Sequence, residues 1–214
     1  MKQFITLLLT LSIGFGQAQS REPKAQALLD EVSAKVNGYD NMLLEFKYVL
    51  ENSEENVRQE TRGDVTLMGD KYVLNILGIT RLFDGTKLIT ISPEDEEVTI
   101  STQNSAEENT ITPSQLLSFY EKGYNYKMDI VQNIRGRKIQ YIKLTPIDSN
   151  AEINYVLLGI DINTKHVYNL IEIGSNATKT TLTINAFKTN QPLPDSLFVF
   201  DATKYSDYFI NNLD

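Results

Sequence analysis

Between Leu44 and Phe200 the chain repeats one pattern, a short run suited to a pleated strand, then a turn signal, then another run. Leu44, Phe46, Tyr48 and Leu50 alternate with Glu45, Lys47, Val49 and Glu51, and the acidic stretch Asn52 to Asn56 leads to a second run ending Val65-Thr66-Leu67. Period-two alternation puts successive side chains on opposite faces of a strand. Further runs follow at Tyr72 to Leu77, Ile79 to Phe83, Lys87 to Ser92 and Val98 to Thr102. Asp84-Gly85 reads as a two-residue type I′ hairpin turn, whose central positions both need positive φ. Strands resume at Tyr124 to Asn133 and turn at Arg135-Gly136-Arg137. They return through Ile139, Tyr141, Ile142 and Leu144 to Pro146 and run on from Ile153 through Asp161 to Lys165 and Ile173. Thr180 to Phe187 and Leu197 to Phe200 complete the series. Ten or eleven strands at hairpin spacing predict an α+β fold built on one large antiparallel sheet.

Two helices punctuate this plan. Leu28, Leu29, Val32 and Val36 recur at helical spacing after Pro23, and Gly38 closes an amphipathic segment. Thr112-Pro113 opens a second, shorter helix carrying Leu116, Leu117, Phe119 and Tyr120 and ended by Gly123. Four large apolar groups in five positions suit either a plug at the end of a barrel or a movable lid over an apolar cavity, and the sequence leaves both open. Tyr72, Val73, Leu74, Ile76 and Leu77, like Tyr155 to Leu158, are apolar on both strand faces and need cover on both sides. Two helices are little cover for so long a sheet, so part of the interior is expected to be vacant and filled by a ligand.

The amino terminus sets the compartment. Lys2 precedes an uncharged, mostly apolar run of 12 residues, Phe4 to Phe15, and Gly16-Gln17-Ala18 presents small residues to a signal peptidase. About 20 residues are needed to span a bilayer as a helix, so the run reads as a cleaved export signal. Removing 18 of the 214 residues leaves 196 for one domain, residues 19–214, and moves the net charge from −8 to −9 because only Lys2 is lost. The acidic balance argues against nucleic acid and anionic lipid surfaces. With no cysteine, the chain has neither a lipid attachment site nor a disulfide. A soluble monomer in a bacterial periplasm is expected.

Chemistry is sparsely represented. His166 is the one histidine and reads as a strand or turn residue, and no metal set, serine-hydrolase elbow, zinc-protease helix or phosphate loop occurs. Glu54 and Glu55, Glu94 to Glu97, and Glu107 and Glu108 could supply the paired carboxylates of a glycosidase. All lie in predicted turns, where acids are usually solvated and keep sheet edges soluble. No cofactor, no metal and no enzymatic activity are expected.

The order of elements, with several local motifs, resembles the periplasmic outer-membrane lipoprotein carriers, the LolA family. Gly63-Asp64-Val65-Thr66-Leu67 is similar to the family's glycine-led second strand, and Phe46 takes the place of its first-strand aromatic. Asp84-Gly85-Thr86-Lys87-Leu88 with Pro93 resembles its D-G-x-x-L and downstream proline, Tyr141 to Pro146 its Y-x-x-L-x-P strand, and Asp195 to Phe200 its D-x-x-F-x-F ending. Met68-Gly69-Asp70 departs from the enterobacterial type, which carries a lid-holding arginine there, and Ile89 and Ile91 replace aromatics. The resemblance implies an incomplete antiparallel barrel covered by helices, whose concave face shelters the acyl chains of lipoproteins crossing to the outer membrane. The implied partners are acylated lipoproteins, an inner-membrane lipoprotein-releasing ABC transporter and an outer-membrane acceptor the sequence does not name. The expected acyl-chain surface is Leu44, Phe46, Tyr48, Val65, Leu67, Tyr72, Leu74, Ile76 and Leu88, with Leu116, Leu117, Phe119 and Tyr120 as lid. A sensor or adaptor binding a lipid or lipopeptide in the same half-barrel is the alternative.

Overall fold

The computed structural model describes residues 20–102 and 117–213, so the predicted export signal, Glu107, Glu108 and Leu116 lie outside the described residues. One α-helix, α1 (Pro23–Asn37), starts with Pro23 in its first turn, where the missing N–H costs nothing, and ends at Gly38. Twelve strands follow among the described residues: β1 (Met42–Asn52), β2 (Val57–Met68), β3 (Lys71–Ile76), β4 (Ile79–Phe83), β5 (Lys87–Ser92), β6 (Glu97–Thr102), β7 (Tyr124–Ile134), β8 (Arg137–Pro146), β9 (Ile153–Asp161), β10 (Val167–Gly174), β11 (Thr178–Thr189) and β12 (Phe209–Asn212). They form one sheet in the order β12-β6-β5-β4-β3-β2-β1-β11-β10-β9-β8-β7, open at β12 and β7. The α+β expectation holds in this form: a long, largely antiparallel sheet, unclosed, with one α-helix on it among the described residues.

Four expectations need correction. Twelve strands replace ten or eleven, and the extra one, β12, pairs with β6 in parallel. Asp84-Gly85 is not a type I′ turn: Gly85 alone has positive φ, at 101°. Asp84 instead caps a three-residue loop, its Oδ1 accepting from the N–H groups of Thr86 and Lys87 at 2.8 Å each. Both-positive turns occur at Leu77-Gly78 (54° and 77°) and Arg135-Gly136 (50° and 79°). Leu197 to Phe200 is not a strand, because Asp195–Phe198 winds into a 3₁₀ turn. The second helix is reduced, within the described residues, to a 3₁₀ turn at Phe119–Glu121.

The sheet's two faces have separate cores. On one, Ala25, Leu29 and Val32 of α1 pack with Leu44, Val65, Leu67, Tyr72, Tyr126, Ile142, Leu158 and Ile184, drawn from several strands. A sheet that brings strands so far apart in its order onto one helix is curved, and this face is concave. On the other face, Leu82, Ile89, Ile91 and Val98 pack with Phe200, Tyr205, Tyr208 and Ile210 of the C-terminal segment. The cover for the two-faced strand β3 is therefore partly this segment: Val73 points into the outer core, and Tyr72 into the inner one. Ile89 and Ile91 belong to the outer core, away from any concave site.

Candidate functional site

Strand register decides which side chains share the concave face. Leu44 pairs with Val65, Phe46 with Gly63, Tyr48 with Thr61 and Met42 with Leu67. Val65, Leu67 and Gly63 pair in turn with Leu74, Tyr72 and Ile76. Tyr72 pairs with Phe83, and Phe83 with Leu88. The nine positions expected to bind acyl chains thus lie on one face. Leu44, Phe46, Val65, Leu67, Tyr72 and Leu88 are core members, Leu74 and Ile76 pack against them half-buried, and Tyr48 shares the face without joining the cluster. The Phe46–Gly63 pair has a steric reason. A Cβ on Gly63 would stand 2.6 Å from Phe46 Cζ and 2.5 Å from the Asn75 carbonyl oxygen, so the ring lies where only glycine leaves room.

Sequence reasoning missed the other half of this floor. Tyr48 pairs with Leu182, Leu182 with Leu170, Leu170 with Leu158 and Leu158 with Ile142, carrying the same face across β11, β10, β9 and β8. The signal was present as alternation in Ile142 and Leu144 and in Val156, Leu158 and Ile160. Helix α1 seals only part of this surface. Leu29 and Val32 close over residues that are 1–4% exposed (Leu44, Val65, Leu67 and Tyr72), whereas Leu74, Ile76, Leu170, Leu182 and Phe119 remain half-buried within the same cluster.

The segment expected to be a lid is tied down at its described end. Leu117 and Tyr120 are 2% and 1% exposed. The Tyr120 hydroxyl lies 2.9 Å from Ser33 Oγ on α1, and Ser33 Oγ donates to Glu121 Oε1 at 3.0 Å, so the phenol is the donor in a chain ending on a carboxylate. The Tyr126 hydroxyl donates to the Tyr120 carbonyl, and Arg21 Nη2 to that of Glu121 at 2.9 Å. Burial pushes the Tyr120 phenol up to about 12, so it stays protonated. Phe119 differs. Half-buried, it meets Tyr120 and Tyr124 edge to face, with centroids 5.8 and 5.7 Å apart.

The remaining candidates for chemistry have packing or surface roles. His166 stacks on Phe187 at 4.0 Å, and its Nε2 lies 2.8 Å from the Tyr39 hydroxyl, fastening the end of α1 to β11. Burial, and then Lys35, lower its imidazole below 6.5. Glu54, Glu55 and Glu94 to Glu96 are exposed on hairpin turns. Among the described residues no group of three metal-ligating side chains converges, and no helix is long and apolar enough to cross a membrane.

A family model described as outer membrane lipoprotein carrier protein LolA matches residues 79–201, more than half of the chain. The chain belongs to the LolA family. The match begins in β4 and ends beyond the 3₁₀ turn Asp195–Phe198, so α1 and β1 to β3 lie outside it. Three of the similar solved structures show the extent of the likeness. An uncharacterized conserved protein from Thermus thermophilus is 10% identical over 88% of this chain and 99% of its own, with a TM-score of 0.56. LprF from Mycobacterium bovis is 13% identical over 82% and 98%, with a TM-score of 0.51. LolA superfamily protein NE2245 from Nitrosomonas europaea is 14% identical over 83% and 98%, with a TM-score of 0.43. The first two share the fold, and at these identities the likeness extends to the fold alone. No curated protein sequence matches the chain.

Proposed function

We infer that this LolA-family protein is a periplasmic carrier that shelters the acyl chains of lipoproteins against its concave face and delivers them to the outer membrane. The observation that carries the reading is the incompletely covered apolar floor, continuous from Leu74 and Ile76 to Leu170 and Leu182, beside core residues that α1 seals fully. Half-buried large apolar groups concentrated on one curved face are a surface awaiting an occupant. In this reading Phe46, Tyr48, Leu74, Ile76 and Leu88 contact the chains, and Leu44, Val65, Leu67 and Tyr72, which α1 covers, join them where cargo displaces the helix. Leu117 and Tyr120 anchor the closing segment, and Phe119 meets cargo. The signal at residues 1–18 is removed, and residues 19–214 act as one domain and a monomer.

Affinity has to be limited for delivery. Each buried methylene contributes about 0.8 kcal/mol, so full burial of three acyl chains would reach tens of kcal/mol, beyond the roughly 20 kcal/mol ceiling of noncovalent binding. A floor that leaves part of each chain exposed lowers that figure. Neither cofactor nor catalysis is required, since an inner-membrane ABC transporter would supply the work of extraction. A sensor or adaptor reading draws on the opposite face of β1 and β2, where Glu45, Lys47, Arg62, Asp64 and Arg135 line an open groove of about 640 Å³ suited to a charged protein partner.

Transfer separates the two readings. A carrier displaces an environment-sensitive fluorophore when lipopeptide binds, and then hands the lipopeptide to acceptor membranes. Binding without transfer would favour the sensor, and no saturable binding would overturn both.

A further inference from the structure

Among the described residues the concave face of the sheet carries one acid in its apolar rows. Glu172 on β10 pairs with Val156 of β9 and Thr180 of β11, and Thr180 pairs with Leu50 of β1. The next rung on the same face is Leu158, Leu170, Leu182 and Tyr48, and beyond Glu172 a register shift pairs Gly174 with Ile153, which packs against the apolar cluster, while Thr178 follows Thr180 on β11. Glu172 therefore stands near the end of the floor, between Val156 and Ile153 on the β9 side and Thr180 and Thr178 on the β11 side. It is half-buried, and among the described residues neither a hydrogen bond nor an ion pair holds its carboxylate. Burial holds it above the usual carboxylate range, and its charge is felt at the Tyr124 phenol, which meets Phe119 edge to face at 5.7 Å.

Strand positions that face a lipid cavity have no structural use for a carboxylate. Leucine or threonine would pair equally well with Val156 and Thr180, while a desolvated, unpaired acid costs stability. A carboxylate in such surroundings is satisfied by a cationic donor, and the donor has to come from the occupant. We propose that Glu172 reads the polar end of the cargo, so that the site prefers amphiphiles bearing a primary ammonium next to their acyl chains over those whose amine is acylated. The proposal rests on the acyl-chain reading above and adds to it. Acyl chains lie along the floor toward Leu170 and Leu182, the ammonium meets Glu172, and the polar continuation leaves on the β11 side past Thr180 and Thr178. A lipopeptide with a free α-amine on its diacylglyceryl cysteine has this chemistry, as does an ethanolamine phospholipid.

The test uses the full mature chain and a synthetic diacylglyceryl-cysteinyl peptide, with its α-amine free or acetylated and its acyl chains unchanged. Each is presented below its aggregation concentration and titrated by fluorophore displacement. The wild-type protein should bind the free amine about tenfold to a hundredfold more tightly, the range of a charge-assisted hydrogen bond. Glu172→Gln should bind both forms alike while keeping or raising the melting temperature. Phosphatidylethanolamine compared with phosphatidylglycerol of the same chains separates the sources. A preference there that depends on Glu172 assigns ammonium recognition in general, and a preference confined to the lipopeptide assigns it to lipoprotein cargo. Equal affinity for the two lipopeptides in the wild-type protein, or a preference that survives in Glu172→Gln, overturns the proposal and leaves the carrier reading standing. Binding of neither lipopeptide removes both.

Discussion

Gly63→Ala tests the architecture of the concave face at its tightest point. The new Cβ would lie 2.5 Å from the Asn75 carbonyl oxygen and 2.6 Å from Phe46 Cζ, closer than nonbonded carbons approach, so the ring must move or the strands must part. Overpacking of this kind costs about 1–3 kcal/mol. Removing glycine's freedom in the unfolded chain returns about 0.4–1 kcal/mol. The 2.5 Å clash is with backbone, which cannot rotate away, so the upper half of the overpacking cost applies. The net loss is roughly 1–2.6 kcal/mol, or a drop in Tm of about 2–10 °C for a chain of this size. Phe46 is core and lines the floor, so a displaced ring also enters the space where acyl chains are proposed to lie. Thermal and urea unfolding measure the stability loss, and fluorophore displacement measures the change in lipopeptide affinity. In a Phe46→Leu background the ring atoms are gone, and Gly63→Ala should cost less by about 1 kcal/mol, a coupling that a double-mutant cycle resolves. A Gly63→Ala protein as stable as the wild type, or a cost that ignores residue 46, would refute the claim that the ring occupies the glycine's side-chain space.

Further outcomes follow from the closing segment and the titrating groups. Leu117→Ser, which places a hydroxyl in the core, should lower Tm strongly, whereas Phe119→Ser should lower Tm less and alter lipopeptide affinity and transfer; the reverse pattern would make Phe119 the plug. Tyr120→Phe removes the donor to Ser33 and should cost about 0.5–1.5 kcal/mol by urea unfolding, with no effect if that bond is dispensable. Because the His166 imidazole is lowered in the fold, the unfolded chain binds that proton more readily. Stability should fall as pH drops from above 6.5 toward the folded value, and His166→Gln should flatten that limb. Glu172 is raised above 4.5, so the folded chain holds its proton more readily. Stability should rise as pH falls through the raised value, and Glu172→Gln should remove that gain.

Much of the sheet was legible because its information is local. Alternation on β1, β2, β3 and β5 groups the residues that share the concave face, whereas the pairing of Phe46 with Gly63 is a matter of register that no single strand displays. Turn chemistry was less legible. Asp84-Gly85 carries a strong hairpin signature, yet the aspartate side chain caps a longer loop, while Leu77-Gly78, with a leucine at positive φ, makes the tighter turn because β3 and β4 leave only two residues between them. The C-terminal segment misled for a different reason. Val199 and Phe200 look like strand residues, but Phe200 is apolar because it covers the outer core of Leu82 and Ile91, a tertiary demand invisible in a local window. Glu172 went unnoticed since one acid in an alternating strand looks like a solvent-facing residue. Only the parity shared with Leu170 turns it toward the floor.

The central claim is that the concave face exists to hold acyl chains. Native mass spectrometry of the protein purified from its own cells, followed by dissociation of whatever it carries, tests this most directly. A fraction of the protein should bear one acylated lipoprotein or lipopeptide, and that fraction should fall when Leu74 and Leu182 are replaced by serine. Protein recovered with no acylated species, or with acylated species that persist unchanged in the serine variant, would contradict it.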